Sequence, residues 1–255
     1  MKRFVPLALL ALASTSLTAF SASDWRPLPL IENNRVAPAW QHVGFGRMIV
    51  EGDTLRTEPD ARGLGLLVYT KEAFGDCQIR IVYRPEEPND NAGVHIRMDH
   101  GILDQIGRND LIGVTRGPNN SLSETEAKKM ATASESENGG WYAIHHGFEV
   151  QIMDSGDALH RTGSIYSYAP ADELPPAPAD GWRTMIITLR GTEVVVELDG
   201  QTVTRFDSAT TDAPPRNTWS APKREPVRPT RGYIGLQTHD PGDILYFKEV
   251  AIRPL

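Results

Sequence analysis

The chain has 255 residues, with 26 Lys and Arg against 33 Asp and Glu, a formal net charge of −7 and 40% hydrophobic residues. That acidic balance argues against nucleic-acid and anionic-membrane partners, which need clustered cations, and the length suffices for one large core. A single cysteine, Cys77, excludes an internal disulfide; in its strand-like setting it reads as a small buried apolar residue.

At the start, Lys2 and Arg3 precede an apolar run over 4–12 and then small residues through Ala19. The pattern is that of an export signal, with cleavage predicted between about Ala19 and Ser23. The apolar run is too short to cross a bilayer, which takes ~20 residues. Residues 1–23 are therefore read as a signal peptide and 24–255 as one domain, periplasmic or secreted, with no transmembrane segment.

Strand signals dominate from 65 onward. Residues 65–70 and 78–83 are rich in β-branched and aromatic types, as are 184–190 and 193–198, which flank Gly191-Thr192 as a predicted hairpin. Asp199-Gly200 is a turn signal before 201–206, and the runs 244–247 and 249–253 close the chain. Three segments break the pattern. Residues 109–140 are polar and charged, with a brief helix predicted over 124–133; 169–180 is rich in Pro and Ala; 213–231 holds Pro and basic residues around Trp219. Loops this long inside a domain often sit at binding sites, and disordered insertion is the plain alternative. Short strands separated by Gly, Pro, Asn and Asp predict an all-β sandwich or barrel.

Three further stretches, 91–98, 147–154 and 232–240, alternate polar and apolar residues with period two. Side chains of a strand point alternately to opposite faces. Val94, Ile96 and Met98 then share one face with Phe148, Val150, Ile152, Ile234 and Leu236. The other face collects His95, Arg97, Glu149, Gln151, Gln237 and His239. Ordinary solvated faces carry Lys, Thr, Ser and Glu; these strands carry titratable and directional groups suited to a polyhydroxylated ligand. No GxSxG, HExxH, Walker or CxxC motif is present.

Taken in order, several stretches resemble the 3-keto-disaccharide hydrolase domain family. They are 74–84 (FGDCQIRIVYR), NAGVHIRM, GFEVQIMD, 161–166 (RTGSIY), 181–183 (GWR), and the closing run from Gly232 to Leu255. Ala92, Phe148 and Lys248-Glu249 stand where family members usually carry Ser, Tyr and Arg-Asn. The resemblance implies a two-sheet antiparallel jelly-roll sandwich, concanavalin A-like, with ligand on one curved sheet. It also implies action on sugars whose C3 hydroxyl has been oxidised to a ketone.

Such a ketone acidifies the hydrogen on C2, so the glycosidic oxygen at C1 can leave by β-elimination, with water added afterwards. The route needs a base at C2, a stabiliser for the C3 enolate and an acid at the leaving oxygen. Glu149 or His95 is the expected base. Arg97 or His239 is expected to stabilise the enolate or protonate the leaving group, and Asn91, Gln151, Tyr166 and Gln237 to hold sugar hydroxyls. A divalent metal at the ketone, held by Glu149 with His95 or His239, is the alternative stabiliser.

Each residue also has a plainer reading. Arg97 and Glu149 could form a cross-strand ion pair, the glutamines could bond backbone, and His239 could serve the turn at Asp240-Pro241-Gly242. Tyr166 could be core, Trp182 a packing residue, and Asp154 a turn cap. His145 and His146 read as surface or loop residues. Two other functions compete. A non-catalytic carbohydrate-binding module would use the same face but favours aromatic platforms. A hydrolase of unoxidised glycosides needs two facing carboxylates, and GFEVQIMD sets Asp154 out of phase with Glu149.

Overall fold

A computed structural model describes residues 24–255; the predicted signal peptide lies outside the described residues. Six strands come first: β1 (Arg26–Pro27), β2 (Ile31–Glu32), β3 (Arg35–Val36), β4 (Trp40–Gly44), β5 (Arg47–Glu51) and β6 (Thr54–Glu58). β7 (Gly65–Tyr69), β8 (Cys77–Pro85) and β9 (Ala92–Met98) follow. An inserted segment then carries a 3₁₀ turn (His100–Gln105) and two helices, α1 (Glu124–Glu135) and α2 (Trp141–His146). The remaining strands are β10 (Phe148–Ile152), β11 (Arg183–Arg190), β12 (Glu193–Leu198), β13 (Gln201–Asp207), β14 (Tyr233–Thr238) and β15 (Leu245–Pro254).

All but β2 and β3, which pair only with each other, form two stacked antiparallel sheets. The larger runs β13-β12-β11-β8-β15-β6-β5, with β1 also on β15; the smaller runs β10-β9-β14-β7-β4. This is the two-sheet sandwich that the resemblance implies. On β8, Cys77, Ile79, Ile81 and Tyr83 alternate inward, as Met185, Ile187 and Leu189 do on β11. They meet Val94, Ile96, Phe148, Val150, Ile152, Ile234 and Leu236 from the smaller sheet in one core. Burial pushes the Cys77 thiol up to about 11, so it is the inert packing residue its setting predicts. The runs 244–247 and 249–253 form a single strand, β15, with a register shift between Phe247 and Glu249.

Apart from its edge strand β4, the smaller sheet is buried on both faces. Every residue of β9 and β10 is buried, whereas antiparallel sheets commonly leave one face to solvent. The cover comes from the whole segment between β9 and β10, of which the predicted break over 109–140 is one part beside the 3₁₀ turn and α2, and from Trp219 of the 213–231 loop; the 169–180 stretch packs elsewhere, against β13. Helix α1 starts at Ser123, whose hydroxyl accepts from the Glu126 N–H at 3.2 Å, a serine cap with an acidic third residue. Asn138 then ties the insertion together, accepting from Ile112 N–H at 2.8 Å and donating to the Asp110 carbonyl at 3.2 Å. His145 and His146, expected at the surface or in a loop, instead belong to α2. His145 is fully buried because both ring nitrogens are met: Nε2 lies 3.0 Å from Ser134 Oγ, and Nδ1 accepts from Lys223 N–H at 3.1 Å.

Asp154 lies among structural groups. Its carboxylate accepts from Arg183 Nε at 2.9 Å and Thr162 Oγ1 at 2.6 Å, while Arg183 Nη1 donates to Asp199 Oδ2 at 2.7 Å. Arg183 is 4% exposed, so it neutralises two half-buried carboxylates where water cannot. Arg183→Met is expected to cost about 3–5 kcal/mol by leaving those charges uncompensated. Thermal unfolding would register this as a fall of roughly 10 °C; an unchanged midpoint would show that the cluster contributes nothing.

Candidate active site

Adjacency of β10, β9 and β14 places three polar rows side by side. Glu149 pairs with His95 across β10 and β9, His95 with Gly235 across β9 and β14, and Gln151 with Gly93. Period two then aims Glu149, Gln151, His95 and Gln237 to the covered outer face. Gly93 shapes what they build. A Cβ there would lie 2.3 Å from Glu149 Oε1 and 2.6 Å from its Cγ. The Glu149 side chain therefore lies across the missing side chain of Gly93, and its carboxylate enters a hollow shared with Gln151 and Gln237. Gly93→Ala should displace that carboxylate, and any catalysis that uses it should then lose on the order of 100-fold in kcat/KM, the scale of an ångström-sized misplacement. Steady-state kinetics beside an unchanged unfolding midpoint would check it; full activity would show that the placement of Glu149 is irrelevant.

The hollow has a volume of about 90 Å³. Asn91, Glu149, Gln151, Gln237 and His239 form its polar side; Leu64, Trp141, Ile144, Tyr166 and Ser220 wall it. A second cavity of about 190 Å³ adjoins it, sharing Leu64, Trp141, Ser220 and His239. Both are bordered by Trp141 of the insertion and by Ser220 of the 213–231 loop, with Trp219 lining the second.

Electrostatics separates the four expected catalytic groups. Glu149 is 7% exposed, and burial pushes its carboxyl up to about 7, against the lowering effect of the His239 charge and the Gln237 amide. His239 follows β14 at the mouth of the turn. Burial pulls its imidazole down, but the hydrogen bond to Asp243 and the charges of Asp240, Asp243 and Glu149 outweigh this, and its pKa is raised. Nδ1 donates to Asp243 Oδ2 at 2.9 Å, which turns Nε2 toward Asn91 Nδ2 at 3.4 Å. Asn91 in turn accepts from Gln151 Nε2 at 2.6 Å. The turn is itself fixed, because Arg116 Nη2 donates to Asp240 Oδ1 at 2.5 Å.

His95 stands behind these groups. It is fully buried, does not line the hollow, and burial pushes it down to about 3. Its Nε2 accepts from Gln237 Nε2 at 3.3 Å and lies 3.9 Å from Glu149 Oε2. A neutral imidazole there positions its two neighbours rather than meeting a ligand. Tyr166 borders the hollow, its hydroxyl pKa raised by burial and by the Glu149 charge.

Arg97 does not lie on the expected face. Ile96 and Arg97 together oppose the single residue Ile234, because the β9–β14 register shifts between Gly235 and Tyr233. Arg97 adopts φ 52° at this bulge. One extra residue inverts the alternation beyond it. Met98, expected on the core face, packs instead with Val43, Leu66 and Val68 on the outer face. Arg97 crosses toward the larger sheet, where Nη2 donates to the carbonyls of Gly191, at 2.5 Å, and Glu193, at 3.3 Å. It takes no part in the hollow and forms no ion pair with Glu149.

For a metal, Glu149 and His239 face one hollow. Among the described residues, however, no three His, Cys, Asp or Glu side chains are grouped to hold a cation. Two charged donors alone do not make a resident metal site. Sequence reasoning also missed Asp243, although a carboxylate four residues beyond His239 across a Pro-Gly turn was a usable signal. Trp141 and Ser220 carried no such signal, since only packing of remote segments brings them here.

The fold is an antiparallel two-sheet sandwich with a buried cluster of titratable groups on one sheet. The chain belongs to the family of 3-keto-alpha-glucoside-1,2-lyase-like domains, whose model matches residues 21–253. Among solved structures it is similar to a "Putative glycosyl hydrolase" from Parabacteroides distasonis, at 20% identity over 91% of this chain and 99% of that one, TM-score 0.56. It is also similar to a protein of unknown function with a galectin-like fold from Bacillus subtilis, at 15% identity over 90% and 97%, TM-score 0.55. No curated protein matches the sequence. No helix among the described residues is long and apolar enough to cross a membrane.

Proposed function

We propose that this protein is an exported enzyme that cleaves 3-keto-glycosides by elimination across C1 and C2. One observation carries the reading: a buried carboxyl held near neutrality, Glu149, shares a small hollow with an imidazole whose proton Asp243 stabilises, His239. A base and an acid of that kind are what the route requires.

The C1–C3 edge of the sugar lies against the polar side of the hollow. Glu149 takes the proton from C2, and the C–H electrons delocalise onto the C3 ketone as an enolate. Amide groups of Gln237 and Gln151, with the Tyr166 hydroxyl, face that oxygen. When the enolate collapses, C1=C2 forms, the C1–O bond breaks, and Nε2 of His239 gives its proton to the departing oxygen. The products are an enone and a free alcohol; addition of water across C1=C2 completes hydrolysis. In the neutral imidazole Nε2 accepts from the Asn91 amide; once Nε2 is protonated that contact sets two donors against each other, and a glycosidic oxygen beside the pair accepts from both. His95 and Asp243 hold Gln237 and His239 in position.

The test is to incubate the purified protein with a 3-keto-disaccharide and with its unoxidised parent, with and without chelator, and to follow sugar release. Cleavage of the keto form alone supports elimination. Cleavage of both forms, or binding of both without cleavage, would remove the C2 acidity argument; the second result would favour a binding module. Loss of turnover with chelator would bring back the metal as enolate stabiliser.

A further inference from the structure

Resting on that reading, we infer that the second cavity receives the leaving group and selects planar, apolar aglycones over sugars. His239 lies on the wall common to the two cavities. If its proton goes to the departing oxygen, then whatever that oxygen carries lies on the far side, in the chamber of Leu64, Leu122, Met130, Trp141 and Trp219.

The chemistry of that chamber differs from that of the hollow. Trp141 and Trp219 meet edge to face, with ring centroids 5.5 Å apart, and they pack with Leu64, Met130 and Leu122 in one apolar cluster. A ring entering beside them finds an aromatic corner, the geometry that aromatic pairs favour. Two of the polar groups on its rim, Arg116 and Ser220, are engaged elsewhere, which leaves Asp240 and the shared His239 as its available polar groups. Arg116 donates to the carbonyls of Ala61 and Asn120 and to Asp240 Oδ1, and the Ser220 hydroxyl lies 3.0 Å from Thr218 Oγ1. A second sugar would bury hydroxyls against those committed partners at a desolvation cost; a phenyl ring would not. The volume suffices for one ring, since about 150 Å³ accommodates benzene and this chamber, open on one side, measures about 190 Å³.

The experiment compares methyl, phenyl and glucosyl 3-keto-glucosides with the same anomeric configuration. Dissociation constants are measured by titration calorimetry on Glu149→Gln protein, so that binding is read without turnover, and release rates are measured on the native enzyme. The phenyl glycoside is expected to bind about tenfold tighter than the methyl or glucosyl compound. Trp219→Ala should reduce the phenyl-to-methyl ratio toward one. Leu122→Trp, which fills the chamber without truncating its wall, should do the same and serves if the Trp219 variant does not fold. Equal affinity for phenyl and methyl compounds, or a glucosyl compound binding as tightly as phenyl, would overturn the inference. Preferential phenyl binding without cleavage of any compound by the native enzyme would uphold the chamber and reject the elimination reading.

Discussion

Glu149→Gln is expected to lower kcat on a 3-keto-glycoside by about 10²–10⁴-fold, the range that a positioned general base contributes, while making the protein more stable above neutral pH. The second half of that expectation separates function from structure. Glu149 titrates at about 7 in the fold because burial opposes its charged form, against an ordinary value near 4.5. A carboxyl with a raised folded pKa is protonated more readily in the folded than in the unfolded chain. Its contribution to stability is thus intact below the ordinary value and is lost as pH rises through about 7. At pH 8 the ionised, poorly hydrated carboxylate costs on the order of 3 kcal/mol, which a neutral amide of the same shape does not incur. Urea unfolding at pH 5 and pH 8, beside steady-state kinetics, checks both halves. A purely structural glutamate would give a less stable variant at both pH values. Full turnover in the variant would take Glu149 out of the mechanism.

The polar side of this site was readable because its strands obey period two. NAGVHIRM, GFEVQIMD and GYIGLQTH each assign their faces without reference to a partner, and adjacency in the sheet does the rest. Arg97 shows where that logic stops. The bulge that sends it to the other sheet is a property of the pairing between β9 and β14, and nothing in His95-Ile96-Arg97-Met98 alone marks the extra residue. Strands β1–β6 escaped the sequence reading for another reason. Three of them have only two residues each and the rest have five, and 26–58 shows no sustained alternation. The role of the insertion was legible only in outline. A Ser123 cap with Glu126 in the first turn announces α1, but its seat against Trp141 and the 213–231 loop depends on contacts between distant segments. Gly93 lies between the two cases. It reads as an ordinary strand glycine until the neighbouring strand lays a glutamate across it.

His239→Gln should cut kcat/KM by about 10²-fold or more on a methyl 3-keto-glucoside, and by much less on a p-nitrophenyl one. An alkoxide leaves poorly and depends on receiving a proton in the transition state, whereas a nitrophenolate leaves largely unaided. Equal losses on both substrates would assign His239 to binding instead of acid catalysis. The pH profile supplies the second line of evidence. The base must be ionised, so activity should rise as pH passes about 7, the value of Glu149. The acid must be protonated, so activity should fall once pH passes the raised pKa of His239. Each group's charge favours the charged form of the other, so the two limbs belong to the pair and stand further apart than isolated groups would allow. Asp243→Asn removes the hydrogen-bonded carboxylate that opposes burial at His239, leaving Asp240 and Glu149 as the remaining anions. The basic limb must then move to lower pH and the active window narrow, with little effect at the acidic edge. A profile whose basic limb stays in place in Asp243→Asn would mean that some group other than His239 delivers the proton.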